Sequence, residues 1–180
     1  SVFQADKGAT FTLAGDLNNA GTLIGSTDGA GTLLVNAANL ANSSAIQSGK
    51  DATFNLSGSG FVNSGTVIAA GDLAIHGTGA TLSVSATGSG VIAAQAAAGA
   101  PSARLTIDGP ATVLTTDAGA AIAADAASLT LGSFVNAGRF VTGSGATDLK
   151  IAGTLTNTGK FFTGGTLGLT AASLDNRLGA

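Results

Sequence analysis

Apolar residues of this chain recur as pairs two positions apart, and the pairs themselves return about every twenty residues: Phe11/Leu13, Leu33/Val35, Phe54/Leu56, Leu73/Ile75, Leu105/Ile107, Leu129/Leu131, Leu149/Ile151 and Leu167/Leu169. Alternation with period two is the pattern of a strand that buries one face. Downstream of each pair stands an apolar anchor, and in six units an Asn follows it by two residues: Leu17/Asn19, Leu40/Asn42, Phe61/Asn63, Phe134/Asn136, Leu155/Asn157 and Leu174/Asn176. The Asn residues are spaced by 23, 21, 73, 21 and 19 positions, and the long gap accommodates two more units. These are read as anchored at Leu82 and Val113, with Val84 and Thr115 in the Asn position. A third inward site follows six residues after most anchors, at Leu23, Ile46, Val67, Phe140 and Phe161. It follows nine after the irregular ones, at Val91 and Ile122. Between the second and third sites, Asn-x-Gly at 19–21, 63–65, 136–138 and 157–159 supplies residues suited to tight corners.

Three short strands per unit, each with one or two inward side chains, cannot bury a face alone and must stack on their neighbours. The expected fold is all-β: a right-handed parallel β-helix (β-solenoid) of about eight coils of ~19–23 residues, with three short strands per coil. At ~4.8 Å per coil the rod would be about 38 Å long. Residues 93–104 (AAQAAAGAPSAR) form an inserted loop between coils four and five, which composition leaves open to an Ala-rich helical turn. The stretch 118–128 also has a helical composition, but the register returns at Leu129 and favours a strand through Ile122.

Composition narrows the function classes. The chain has 28 glycines, ten aspartates, no glutamate and no cysteine, and 9% of its residues are charged. A net charge of −3 with seven scattered basic residues supplies no footprint for nucleic acid, and no such partner is expected. No apolar run approaches the ~20 residues of a spanning helix, so no membrane insertion is expected. Without cysteine there is neither a disulfide framework nor a thiolate metal site.

Three segments carry a family resemblance. TLAGDLNNAGTLIG (12–25), FNLSGSGFVNSGTVIAAGD (54–72) and LKIAGTLTNTGKFFTGG (149–165) resemble the haemagglutination-activity repeats of filamentous haemagglutinin-type exoproteins. That family comprises two-partner-secretion adhesins and contact-dependent inhibition stalks. The resemblance implies a shaft and adhesive surface, secreted to the bacterial cell surface through an outer-membrane transporter partner and meeting host-cell or bacterial receptors or glycans. Residues 1–180 then read as a single β-helix segment, an interior piece of a longer rod.

Candidate chemistry is sparse. Asp6, Asp28, Asp51, Asp72, Asp125 and Asp148 fall before the first strand of their units, with Arg104 in that place in unit five. Stacking would align them along one corner, where they would either collect divalent cations or, as turn propensity favours, serve as solubilising turn residues. The Asn column (Asn19, Asn42, Asn63, Asn136, Asn157, Asn176) is read as a structural amide ladder rather than a sugar-facing one. His76 follows the inward Ile75 and should face outward, with no orienting base near it in sequence. Phe162 should point outward beside Phe161. With Gln95 and Arg104 at the insertion, His76 and Phe162 make up the candidate adhesive surface. No nucleophile elbow, phosphate loop or paired carboxylates on one sheet face are present, so no catalytic residues, cofactor or metal are expected and an enzyme is disfavoured. The alternatives are a β-helical polysaccharide lyase or hydrolase and a passive spacer.

Overall fold

The structure is a computed structural model that describes residues 1–177, and among these it contains strands and turns but no helix. The strands stack in three columns with every pairing parallel. A first face begins with Ala9–Thr12, Leu33–Ala37, Ala52–Leu56 and Leu73–Gly77, and continues through Arg104–Asp108 and Ala126–Leu131. A second face stacks Leu17–Asn19, Leu40–Asn42, Gly60–Asn63, Ser83–Ala86, Val113–Thr116 and Ser133–Asn136. A third holds Val2–Gln4, Thr22–Ile24, Ala45–Ser48, Thr66–Ala69, Val91–Ala94, Ala121–Ala124, Arg139–Thr142 and Lys160–Thr163. Thr147–Asn157 and Leu167–Asn176 run through the first and second faces without a break, which joins those two columns into one 14-stranded sheet beside an 8-stranded one. This is a parallel β-solenoid of about eight turns.

Register explains the core. Val35, Phe54, Ile75, Ile107, Leu129 and Leu149 lie directly above one another along the first face. All six are buried, as are the second-face column from Leu40 and Phe61 to Leu155 and the third-face column from Leu23 and Ile46 to Phe140. Each fully buried side chain of this size contributes about 1.5–3 kcal/mol. Phe54 meets Phe61 edge to face at 5.6 Å across the interior, Phe134 meets Phe140 at 5.5 Å, and Phe140 stacks on Phe161 at 4.8 Å. The inward sites Leu13, Leu167, Leu169 and Leu174 are exposed, because in the first and last coils only one neighbour covers them.

The two irregular coils correct the expected phase. Val84, not Leu82, lies in register with Phe61, and Leu114, not Val113, with Phe134. The Asn position is therefore held by Ala86 and Thr116 rather than by Val84 and Thr115. In coil four both Leu82 and Val84 are buried, so alternation alone could not choose between two registers of equal parity. In coil five the turn through Gly109 (φ 141°) and Ala111 (φ 47°) places Thr112 inward and Val113 outward. Thr112 tolerates burial because its Oγ1 donates to the Gly109 carbonyl at 3.0 Å. The third inward site of coil four is likewise Ile92, in register with Val67, while Val91 opposes the outward Thr66.

Both coils also lengthen the next corner. Where regular coils turn on Asn-x-Gly, these close a backbone turn of their own, Gly90 donating to Thr87 and Ala120 to Asp117. The insertion proves to be an open loop over 95–103, since Ala93 and Ala94 already belong to strand Val91–Ala94; its tip is a turn in which Ala100 donates to Ala97. The stretch 118–128 is not helical: a turn at 118–120 leads into strand Ala121–Ala124, which buries Ile122, and strand Ala126–Leu131 begins after a bend at Asp125.

Candidate functional site

Two polar systems and one cleft emerge from the stacking. Inside the corner between the second and third faces, Asn19 donates from Nδ2 to Asn42 Oδ1 at 2.7 Å, and Asn42 to Asn63 at 2.8 Å. Asn63 meets Ala86 above it and donates instead to the carbonyls of Gly65 and Val91. The column resumes with Thr116 Oγ1 donating to Asn136 at 2.7 Å, then Asn136 to Asn157 and Asn157 to Asn176. Asn42, Asn63 and Asn136 are buried, and no buried side-chain polar atom among the described residues lacks a partner. Their amides are consumed within the fold and are not available to a sugar.

The second system lies outside. On the first face Thr12, Asn36, Asn55, His76 and Asp108 occupy one outward row in consecutive coils. Asn55 donates to Asn36 at 2.8 Å, and His76 Nδ1 lies 2.7 Å from Asp108 Oδ1. The imidazole therefore does have an orienting carboxylate. It was invisible in sequence because Asp108 stands 32 residues away, one coil higher, and that coil carries the insertion. Both side chains are a third or more exposed, so the pair is worth no more than about 1 kcal/mol.

The aspartates do not form one carboxylate column. Asp51 and Asp72 are adjacent rungs, but Asp148 lies within the start of strand Thr147–Asn157 opposite Ser128, and Asp125 precedes the residue that opposes Arg104. Strand boundaries differ from coil to coil, so equal sequence phase did not mean equal height. Most of these carboxylates tie one coil to another. Asp51 Oδ1 accepts from the Asp72 amide at 2.9 Å, Asp72 Oδ1 from the Arg104 amide at 2.8 Å, and Asp125 Oδ2 from Ala96 and Ala103 at 2.9 and 3.0 Å. Hydrogen bonds from Gln4 and Thr27 hold the Asp6 carboxyl below its ordinary range, and the Ala30 and Gly31 amides with Ser26 do the same for Asp28. No group of three metal-ligating side chains occurs among the described residues.

The candidate adhesive residues are dispersed. His76 lies on the first face, exposed Phe162 projects from the third, and Gln95 and Arg104 bracket the loop. What sequence reasoning missed is a cleft of about 530 Å³ between that loop and the corner below it, lined in part by Lys50, Asp51, Asp72 and Pro101. The only signal was the insertion itself, since the cleft walls come from four successive corners.

No protein-family model matches the chain, and neither the curated proteins nor the solved structures yield a match.

Proposed function

We propose that this chain is a non-enzymatic shaft and adhesive segment of a large secreted bacterial exoprotein of the filamentous haemagglutinin type. In this reading it is displayed at the cell surface after passage through an outer-membrane transporter partner, and it contacts host or bacterial receptors or glycans. The observation that carries the reading is the repetition of equivalent outward rows over an interior filled from coil to coil, as in the row Thr12, Asn36, Asn55, His76 and Asp108. Many shallow, equivalent contacts add through high effective concentration, so adhesion of this kind is multivalent and no single side chain is indispensable. Vectorial folding suits such a rod, because each coil needs only the previous one as a template.

Purified chain bound to epithelial cells and to bacterial cells, in a dose-dependent and saturable manner, is the expected result. Absence of binding with intact β circular dichroism would leave a passive spacer. The His76–Asp108 pair is the grouping that favours the alternative, a β-helical lyase or hydrolase. That reading predicts release of unsaturated or reducing ends from pectin-like or glycosaminoglycan substrates, lost in His76→Ala.

A further inference from the structure

We infer that the cleft beneath the 95–103 loop is a binding site for the terminal sugar of a neutral glycan, an inference that rests on the adhesive reading and gives it a location. Three features make the cleft a built site. Its roof is held in place, because Asp125 Oδ2 accepts hydrogen bonds from the amides of both loop stems, Ala96 and Ala103. Its volume of about 530 Å³ falls within the range of small-ligand sites. Its floor is kept open by glycine, since a side chain at Gly71 would collide with the Asp51 carboxylate.

The polar groups are set before any ligand arrives. Asp51 and Asp72 each have one oxygen bound by a backbone amide of the coil above, which fixes their rotamers. The second oxygen of each has no partner among the described residues, and Lys50 makes no ion pair among them. The site thus offers two fixed acceptors, one cationic donor and an apolar wall of Ala97, Ala100 and Pro101. A sugar meets all three demands, because each hydroxyl both donates and accepts while the C–H face of the ring packs on methyl and methylene groups. An acidic sugar would place its carboxylate against two carboxylates with a single lysine to offset them, so the site discriminates in favour of neutral sugars.

Isothermal titration of the whole chain with methyl glycosides of glucose, galactose, mannose and N-acetylglucosamine, beside the methyl glycoside of N-acetylneuraminic acid, tests this. At least one neutral glycoside is expected to bind with a millimolar or tighter Kd, and the anionic one at least tenfold more weakly. Lys50→Ala and Asp72→Asn should each weaken binding about tenfold; the latter keeps an oxygen acceptor for the Arg104 amide. Replacing 97–102 by two glycines, which retains Ala96 and Ala103, should abolish binding with circular dichroism unchanged. The inference is overturned if no neutral glycoside binds, if the shortened loop binds as the intact chain does, or if the anionic sugar binds equally well. Cell adhesion measured in parallel separates the two readings. Sugar binding without adhesion supports the cleft and overturns the adhesive function, whereas adhesion without any sugar binding overturns the cleft alone.

Discussion

Asn42 and Asn63 stand 21 residues apart in the chain and one coil apart in space, with Asn42 Nδ2 donating to Asn63 Oδ1 at 2.8 Å. The same Asn42 amide donates to the carbonyls of Ser44 and Thr66, so one side chain caps its own corner and bonds to the next coil. Replacing Asn42 by Ala leaves buried acceptors unpaired and should cost about 1–3 kcal/mol. Urea denaturation checks this as a lower midpoint with an unchanged slope; an unshifted midpoint would mean that the ladder contributes nothing.

Phe134 is buried against the stacked pair Phe140 and Phe161, at 5.5 and 6.4 Å. Truncating it to Ala opens a cavity in the rod's interior, with an expected loss of about 3–5 kcal/mol. Phe162, on the same strand as Phe161 but facing solvent, should tolerate Ala within about 0.5 kcal/mol. Thermal unfolding of the two variants side by side measures the contrast, and equal losses would contradict the assigned orientation.

Asp125 holds both stems of the 95–103 loop through one oxygen. Asp125→Ala should therefore increase proteolytic cutting within 97–102 several-fold, while Asp125→Asn, which retains an acceptor, should change it less. Mass spectrometry of limited digests locates the cut. Cleavage spread evenly along the chain in Asp125→Ala would point to global destabilisation instead.

Acid should loosen the first two coils. Asp28 has its carboxyl held below 3.8, first by the Ala30 and Gly31 amides and then by Ser26, and Asp6 is held below 3.8 by Gln4 and Thr27. A folded-state pKa below the unfolded one means stability that is present above pH 3.8 and lost as the pH falls through the lower folded value. Asp28→Asn should flatten the acid limb of Tm against pH while leaving Tm near neutrality within a few degrees. An acid limb as steep as that of the unmodified chain would show that Asp28 does not contribute to it.

His76→Ala should lower stability by no more than about 1 kcal/mol, because the Asp108 pair is substantially exposed. On the multivalent reading it should also leave cell binding nearly intact. Lost adhesion with unchanged circular dichroism would instead point to a discrete contact at this imidazole.

Much of the architecture was legible from one dimension. Period-two alternation announced strands, and recurrence about every twenty residues announced stacking, because a coil that buries two or three apolar residues can be stable only against a copy of itself. The six Asn positions were equally readable, since in the regular coils the spacing of anchor, Asn and corner is set by the length of one side of the rod. Phase failed where corners changed length. Beside Leu82 and Val84 the alternation has two registers of the same parity, and at Thr112–Val113 a turn moves the polar residue inward and the apolar one out.

What the chain determined alone was thus the repeat, the strand faces and the polar column inside the corner, all consequences of local periodicity. Only the tertiary structure decided which residues of different coils share a height. That is why Asp108 reached His76 from 32 residues away, why the aspartates separated instead of forming a column, and why Lys50, Asp51 and Asp72 came to face a loop inserted one to two coils later. Corners of different length are absorbed where they occur, so the inward columns stay in register while the sequence separation between residues that meet in neighbouring coils changes from coil to coil.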